Sequence, residues 1–281
     1  MRLRLITYNI HKGIGGVDRR YRPGRIIETL ARYDPDIVLL QEVDDGVPRS
    51  HRDRQVDLLG DALDLRYRAF QANVALRIGA YGNAILSRFP LADVEHVDLT
   101  VPMKKRRRAL VAHCRVPVEG HTRRLLISNL HLGLAGFERK IQLRRFLKRG
   151  TVAHAHHHTP LIAAGDFNDF FSNLGKGLLQ PAGFAPAGRQ VRTFPAALPL
   201  RSLDRIYFRG DLRLVRCFAS HTGMARQASD HLPLVAEFDV LPRAGACIPL
   251  ECQHPQCQTS PADPPQQRPP GSTKSHPAFS A

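Results

Sequence analysis

Nowhere does this chain carry 18 consecutive apolar residues, so no membrane-spanning helix is predicted. The apolar part of Met1-Arg2-Leu3-Arg4-Leu5-Ile6 is too short for a signal peptide, and a cytoplasmic protein is expected. Cysteine is scarce and odd in number, with five in 281 residues, at 114, 217, 247, 252 and 257. That argues against a disulfide framework and for a reducing compartment. Cys114 and Cys217 lie in apolar, strand-like runs and are expected as buried free thiols. There is no Gly-x-Ser-x-Gly elbow, which counts against a serine hydrolase. The glycine-rich run at 13–16 lacks the Walker pattern, which leaves a flexible loop rather than a P-loop. Acidic residues are also few: 25 Asp plus Glu face 41 Lys plus Arg, a formal charge of +16. Such an excess implies a polyanionic partner, whether nucleic acid, anionic lipid headgroups or a phosphorylated small molecule.

What is present is an ordinary globular composition, 43% hydrophobic and 23% charged, which excludes bulk disorder. Short apolar runs predict strands at Leu3–Asn9, Ile37–Gln41, Ala84–Ser87, Ala109–Val116, Leu125–His131, Leu161–Gly165, Leu203–Phe208 and Leu234–Asp239. Helices are predicted at Arg25–Arg32, Arg54–Leu63 and Phe137–Thr151, the last with Leu143, Phe146 and Leu147 as its apolar stripe. Several neighbouring strands have only short turns between them, which points to mixed sheets. The chain divides into a domain over 1–240 and a tail over 241–281. Nine prolines fall after Leu241, and the tail is expected to be disordered. Cys247, Cys252 and Cys257, with His254, are spaced too widely for most zinc motifs, so this segment reads as a solvated appendix.

The informative pattern is polar residues at the ends of apolar strands. Asn9, Gln41-Glu42, Asn129 and His131, Asp166 and Asn168, Asp204, and Ser229-Asp230-His231 all occupy such positions. Strand ends cluster in space, so their union offers a hard-cation site with two imidazoles beside it. Carboxylate and amide oxygens suit Mg²⁺ or Mn²⁺, whereas zinc would want more nitrogen or sulfur. A histidine oriented by an aspartate can stabilise developing charge, and the set fits attack of water on phosphorus.

The segments Thr7-Tyr8-Asn9, Leu40-Gln41-Glu42, 82–88, Asn129-Leu130-His131, Gly165-Asp166-Phe167-Asn168, Leu203-Asp204 and Ser229-Asp230-His231 occur in this order over residues 1–240. In this they resemble the endonuclease/exonuclease/phosphatase superfamily of metal-dependent phosphoesterases. The resemblance implies an α/β fold, a four-layer α-β-β-α sandwich of two mixed sheets flanked by helices. It further implies that Glu42 ligates the metal, with Asn9 on the metal or the substrate phosphate and Asp230 as an additional metal-side carboxylate. Asp166 would position or deprotonate the attacking water, with Asn168 beside it. His231 would contact the scissile phosphate, Asp204 would orient it, and His131 would be a second phosphate-contacting or proton-transferring histidine.

His11, Asn83 and Arg108 are expected on the substrate, with Arg107 as the alternative to Arg108 and turn chemistry as the alternative for Asn83. His11 stands where abasic-site enzymes carry an acidic residue, so the chain is more similar to a bacterial branch of the superfamily, and an abasic-site repair role is disfavoured. The run His154, His156, His157 and His158 reads as a solvated connection rather than a metal tract.

The expected activity is Mg²⁺- or Mn²⁺-dependent cleavage of a phosphoester, foremost a phosphodiester in nucleic acid. The rivals are a phospholipid or inositol-phosphate substrate at an anionic membrane surface, and a non-catalytic polyanion-binding module. A decayed binding module should have lost one of Glu42, Asp166, Asp204 or His231, and all four are present. Nothing points to a protein partner. The charge is uneven: residues 101–150 hold 14 Lys plus Arg against only Glu119 and Glu138, placing a basic flank close in sequence to His131.

Overall fold

A computed structural model describes residues 1–242 except Ser172 and Arg189, so the expectations for the cysteine-bearing tail lie outside the described residues. Twelve strands form two six-stranded sheets among these residues. The first runs in the order β11 (Leu212–Ala219), β12 (Leu234–Val240), β1 (Arg2–Asn9), β2 (Ile37–Asp45), β4 (Ala80–Ser87), β3 (Tyr67–Ala75). The second is β5 (Leu91–Asp98), β6 (Arg108–Val118), β7 (His121–His131), β8 (Leu161–Asp166), β10 (Asp204–Arg209), β9 (Ala185–Pro186). Each sheet has one parallel pair, β1 with β2 and β7 with β8, and the remaining pairs are antiparallel. Both sheets are therefore mixed.

Side-chain alternation along the strands builds the layers. Leu3, Leu5, Ile37, Leu39 and Ile85 of the first sheet meet Leu110, Ala112, Leu125, Ile127 and Ile162 of the second in one buried cluster. The alternate residues Ile6, Tyr8, Val38 and Leu40 face the other way, onto Ile26 and Leu30 of α1 (Pro23–Ala31) and Val56 and Leu59 of α2 (Gln55–Ala62). On the far side, Val111, Leu126 and Leu161 pack with Leu143 and Phe146 of α3 (Gly136–Lys148) and Val152 of α4 (Gly150–His154). Central strands buried on both faces read as continuous apolar runs, which is why β2 stood out in the sequence.

Three strands absent from the sequence prediction, β3, β5 and β11, are edge strands, as is the two-residue β9. Each of the three long edge strands leaves several residues exposed or half-exposed. Edge strands carry polar and charged residues that discourage pairing with other chains, and this erases the apolar signature. The long helix predicted through Thr151 also needs correction. It stops at Lys148, Arg149 is extended, and Gly150, with φ +62°, opens the short α4. Cys114 is a buried free thiol as expected, whereas Cys217 on the edge strand β11 is only partly buried. His154 at the end of α4 and His156, His157 and His158 between α4 and β8 are exposed.

Candidate active site

The interior between the sheets becomes more polar toward one end, two residues at a time. On β1 the inward series runs Leu3, Leu5, then Thr7 and Asn9; on β7 it runs Leu125, Ile127, then Asn129 and His131. The first polar layer is a neutral clip between sheets. Gln41 Nε2 donates to Asn129 Oδ1 at 2.7 Å and Thr7 Oγ1 at 3.1 Å, and Asn129 Nδ2 donates to the carbonyls of Leu40 and Ala84, both at 2.8 Å. One step further out, the layer becomes ionisable.

Asp166 is the centre of that outer layer. β8 pairs with β7 so that Asp166 lies beside His131, and with β10 so that it faces Asp204. Gly165 reaches φ +144° with its Cα against the Leu130 backbone, where a β-carbon would collide with the Leu130 carbonyl. The close approach of these strands at Asp166 therefore requires glycine. Asp166 accepts from Asn9 Nδ2 at 3.1 Å and from the Asn168 amide at 2.9 Å, and Asn168 Nδ2 donates to the Leu132 carbonyl at 3.0 Å. Two imidazoles flank Oδ2, His131 Nε2 at 3.6 Å and His231 Nε2 at 3.9 Å.

Burial drives these groups apart electrostatically. Desolvation raises Asp166 to about 6, with the charged His231 opposing the rise and Asp204 adding to it. Burial also disfavours charge on His231, but Asp204, accepting from Nδ1 at 2.8 Å, outweighs it and raises the imidazole to about 10. His131 is pushed well below its ordinary value by burial, then by the Arg107 charge. At neutral pH one histidine is therefore an imidazolium and the other a neutral base. Asp204 is fixed by Thr193, whose hydroxyl donates at 2.6 Å, and its Oδ1 has no hydrogen-bond partner among the described residues.

Glu42 reaches the cavity by a different route. The register between β2 and β4 shifts between Leu40 and Val43, and Glu42 sits in the bulge at φ +57°. A left-handed non-glycine residue costs roughly 1–2 kcal/mol. In exchange the bulge re-aims a side chain out of the strand alternation. Burial opposes its charge, but His131 in its charged form and the Lys12 ammonium hold Glu42 down at about 2. Lys12 is bonded to Glu42 Oε2. Asp230 follows Ser229, whose hydroxyl donates to the Asn9 carbonyl at 2.8 Å, and stands 4.0 Å from His11 Nδ1.

The donor chemistry around Glu42 suits a hard divalent cation: an ionised carboxylate already facing a cation, a second carboxylate at Asp230 and the Asn9 amide. No cluster of three or more His, Cys, Asp or Glu side chains among the described residues could hold a metal unaided. Magnesium commonly uses one or two carboxylates and completes its shell with waters and substrate phosphate oxygens.

These groups line one cavity of about 490 Å³, walled by Asn9, Glu42, His131, Asp166, Asn168, Asp230 and His231. Lys104, Lys105 and Arg107 close one side. Asp204 stands behind His231 rather than on the wall. Three expected substrate residues do not line the cavity. His11 lies beside Asp230 with Nδ1 on the Ile14 carbonyl at 3.0 Å, and Asn83 is buried and donates to the Arg108 carbonyl at 3.3 Å. Of the two arginines weighed at the β6 entrance, Arg107 faces the cavity and Arg108 does not. Lys12, Thr193 and Phe194, whose ring lies 4.9 Å from that of His231, were not singled out in the sequence. Thr193 and Phe194 sit in a segment with no strand-end pattern, whereas Lys12 lay in the segment after Asn9 and carried a readable charge.

The sequence model of the Endonuclease/Exonuclease/phosphatase family matches residues 6–231. YbhP of Escherichia coli (strain K12), described as uncharacterized, is 32% identical over 250 residues, covering 83% of this chain and 95% of that protein. Among solved structures, an endonuclease/exonuclease/phosphatase from Beutenbergia cavernae superposes with a TM-score of 0.68 at 24% identity, covering 85% of this chain and 72% of that one. D. rerio TDP2 complexed with single strand DNA product superposes with a TM-score of 0.62 at 22% identity, covering 85% and 99%. These structural likenesses establish the α/β sandwich.

Proposed function

Because the chain belongs to the endonuclease/exonuclease/phosphatase family, whose members are phosphoesterase hydrolases, we propose that it is a divalent-metal-dependent phosphodiesterase acting by in-line attack of water. The observation that carries this reading is Asp166, a carboxylate raised to about 6 and set between one protonated and one neutral imidazole. A base near the working pH is ionised yet still basic enough to take a proton. In this reading Asp166, steadied by Asn9 and Asn168, orients the water and accepts its proton. The water oxygen bonds to phosphorus as the opposite ester P–O bond breaks, and the departing alkoxide takes up a proton. His231, kept charged by Asp204, stabilises the phosphoryl oxygens, and neutral His131 binds or relays a proton on the same face. Arg107, Lys104 and Lys105 hold the flanking anionic group.

Members of this family generally use divalent metals. Glu42, with Asp230 and Asn9, would hold Mg²⁺ or Mn²⁺, which when bound neutralises charge building on the phosphoryl and leaving oxygens. The test is turnover of bis(p-nitrophenyl) phosphate by wild type, Asp166→Asn and Glu42→Gln with Mg²⁺, with Mn²⁺ and with chelator. Turnover is expected only in metal-loaded wild type. Chelator-resistant turnover, or full activity in Asp166→Asn, would overturn the proposal.

A further inference from the structure

The most exposed large apolar side chains among the described residues border the cavity mouth. Among the described residues, seven are more than half exposed: Val17, Met103, Leu134, Phe137, Phe171, Leu198 and Leu200. Other exposed large hydrophobics reach only 38% to 46%. Six of the seven sit on loops that also wall or touch the site, and Phe137 lies in the first turn of α3. Met103, wholly exposed, precedes Lys104 and Lys105 of the cavity wall. Leu134 and Phe137 flank Ala135, and Phe171 follows Phe170, all on segments lining the same cavity. Leu198 and Leu200 lie between the wall residues Phe194 and Leu203, and the neighbouring Arg201 guanidinium sits 4.8 Å over the Phe170 ring. Val17 follows Gly16, which packs against the backbone of Ser229 and Asp230.

Cations are interleaved with this apolar rim. Lys104, Lys105 and Arg106 are exposed beside Met103, and Lys104 Nζ lies 5.4 Å over the Phe137 ring. A dissolved single strand would be held by the cations and by stacking on Phe137 and Phe171, but would gain little from Val17, Met103, Leu198 and Leu200. An anionic bilayer engages both: its headgroups attract the lysines and arginines, and its acyl boundary takes the apolar tips. Exposed apolar patches bordered by polar groups mark interaction surfaces of this kind.

We propose that the cavity mouth is a docking surface for an anionic lipid bilayer, and that the phosphodiester cleaved is one carried by an anionic glycerophospholipid. This rests on the phosphodiesterase reading of the site. The same hydrolysis applied there consumes one water, breaks one P–O ester bond and leaves a phosphomonoester and an alcohol.

The test uses the metal-loaded full chain and vesicles of phosphatidylcholine alone or mixed with phosphatidylglycerol. Wild type is compared with the triple variant Met103→Ser/Phe171→Ser/Leu198→Ser, whose positions lie outside the cavity wall. Wild type should sediment with the mixed vesicles and not with phosphatidylcholine, and it should hydrolyse the phosphatidylglycerol. The variant should bind and hydrolyse these vesicles at least about tenfold less well while turning over bis(p-nitrophenyl) phosphate like wild type. The docking proposal fails if wild type ignores anionic vesicles or the variant binds them equally. It fails too if the substitutions weaken binding of a single-stranded oligonucleotide as much as that of vesicles. Turnover of the soluble diester without hydrolysis of the vesicle lipid overturns the substrate assignment. Vesicle binding with no turnover of either substrate instead overturns the phosphodiesterase reading and leaves the docking surface standing.

Discussion

Two buried polar layers lie a single strand step apart in this protein, and they behave in opposite ways. Thr7, Gln41 and Asn129 form a neutral amide layer whose hydrogen bonds close on the two sheets. Asn9, His131, Asp166 and His231, two residues or one strand further on, form a layer with strongly displaced proton affinities and an open cavity in front of it. Both layers consist of polar residues at the ends of apolar strands. Polarity at a strand end therefore does not identify a site. What separates the two is whether the polar group is neutral and bonded across the sheets, or part of an ionisable set facing a space where a substrate can sit.

Substitutions in the two layers should therefore separate activity from stability. The largest effect is expected at Asp166. Asp166→Asn should lower kcat by about 10²–10⁴-fold while leaving Tm unchanged or higher, because a buried carboxylate that resists ionisation is replaced by a neutral isostere. Thermal melts beside diester turnover check both halves, and a large fall in Tm would move Asp166 into the structural layer.

Next comes Asp204→Asn. Wild-type kcat/KM should fall as pH drops through about 6, where Asp166 gains a proton, and fall again as pH rises through about 10, where His231 loses one. Without the Asp204 carboxylate the alkaline limb should move down toward the ordinary histidine range, leaving a narrow bell. An unmoved alkaline limb would remove Asp204 from its positioning role.

In the amide layer the expectation reverses. Asn129→Ala removes the donor to the Leu40 and Ala84 carbonyls and one of the acceptors of the Gln41 amide. It should cost roughly 2–4 kcal/mol of stability, with kcat per folded molecule within about twofold of wild type. Urea unfolding and active-site-normalised turnover measure the two.

The smallest effect belongs to a charge cluster remote from both layers. Glu237 on β12 is held down at about 2 by Arg216 first and by Arg4 through a bond of 2.9 Å, with burial opposing. A depressed carboxylate contributes stability that is present above its unfolded value, near 4.5, and is lost as pH falls through about 2. Glu237→Gln should therefore be slightly less stable than wild type at neutral pH, with the gap in Tm closing between pH 4.5 and 2. A gap that stayed constant with pH would mean packing rather than charge.

The strand-end placement of the ionisable residues was legible in the chain. Asp166, Asp204, Glu42 and His231 each follow or begin a strong apolar run, so their place at strand ends could be read directly. Thr193 could not, because it lies in irregular chain and matters only where that chain passes Asp204. For Asn83 the sequence left a substrate contact and turn chemistry open, and in the structure it is buried and donates to the Arg108 carbonyl. The edge strands were missed for a general reason, since exposed polar edges carry no apolar pattern.

Sequence by itself determined the mixed α/β class, the order of polar strand ends and the basic excess near His131, because these follow from local hydrophobic period and charge. Tertiary structure alone decided that Gln41 clips the sheets while its neighbour Glu42 enters the cavity, that Arg107 rather than Arg108 faces it, and that Lys12 meets Glu42. It alone gathered Met103, Phe171 and Leu198 around one mouth. Period two along a strand sets which face a residue takes, but how far along the sandwich it lies, and which loops meet there, depends on contacts between distant segments.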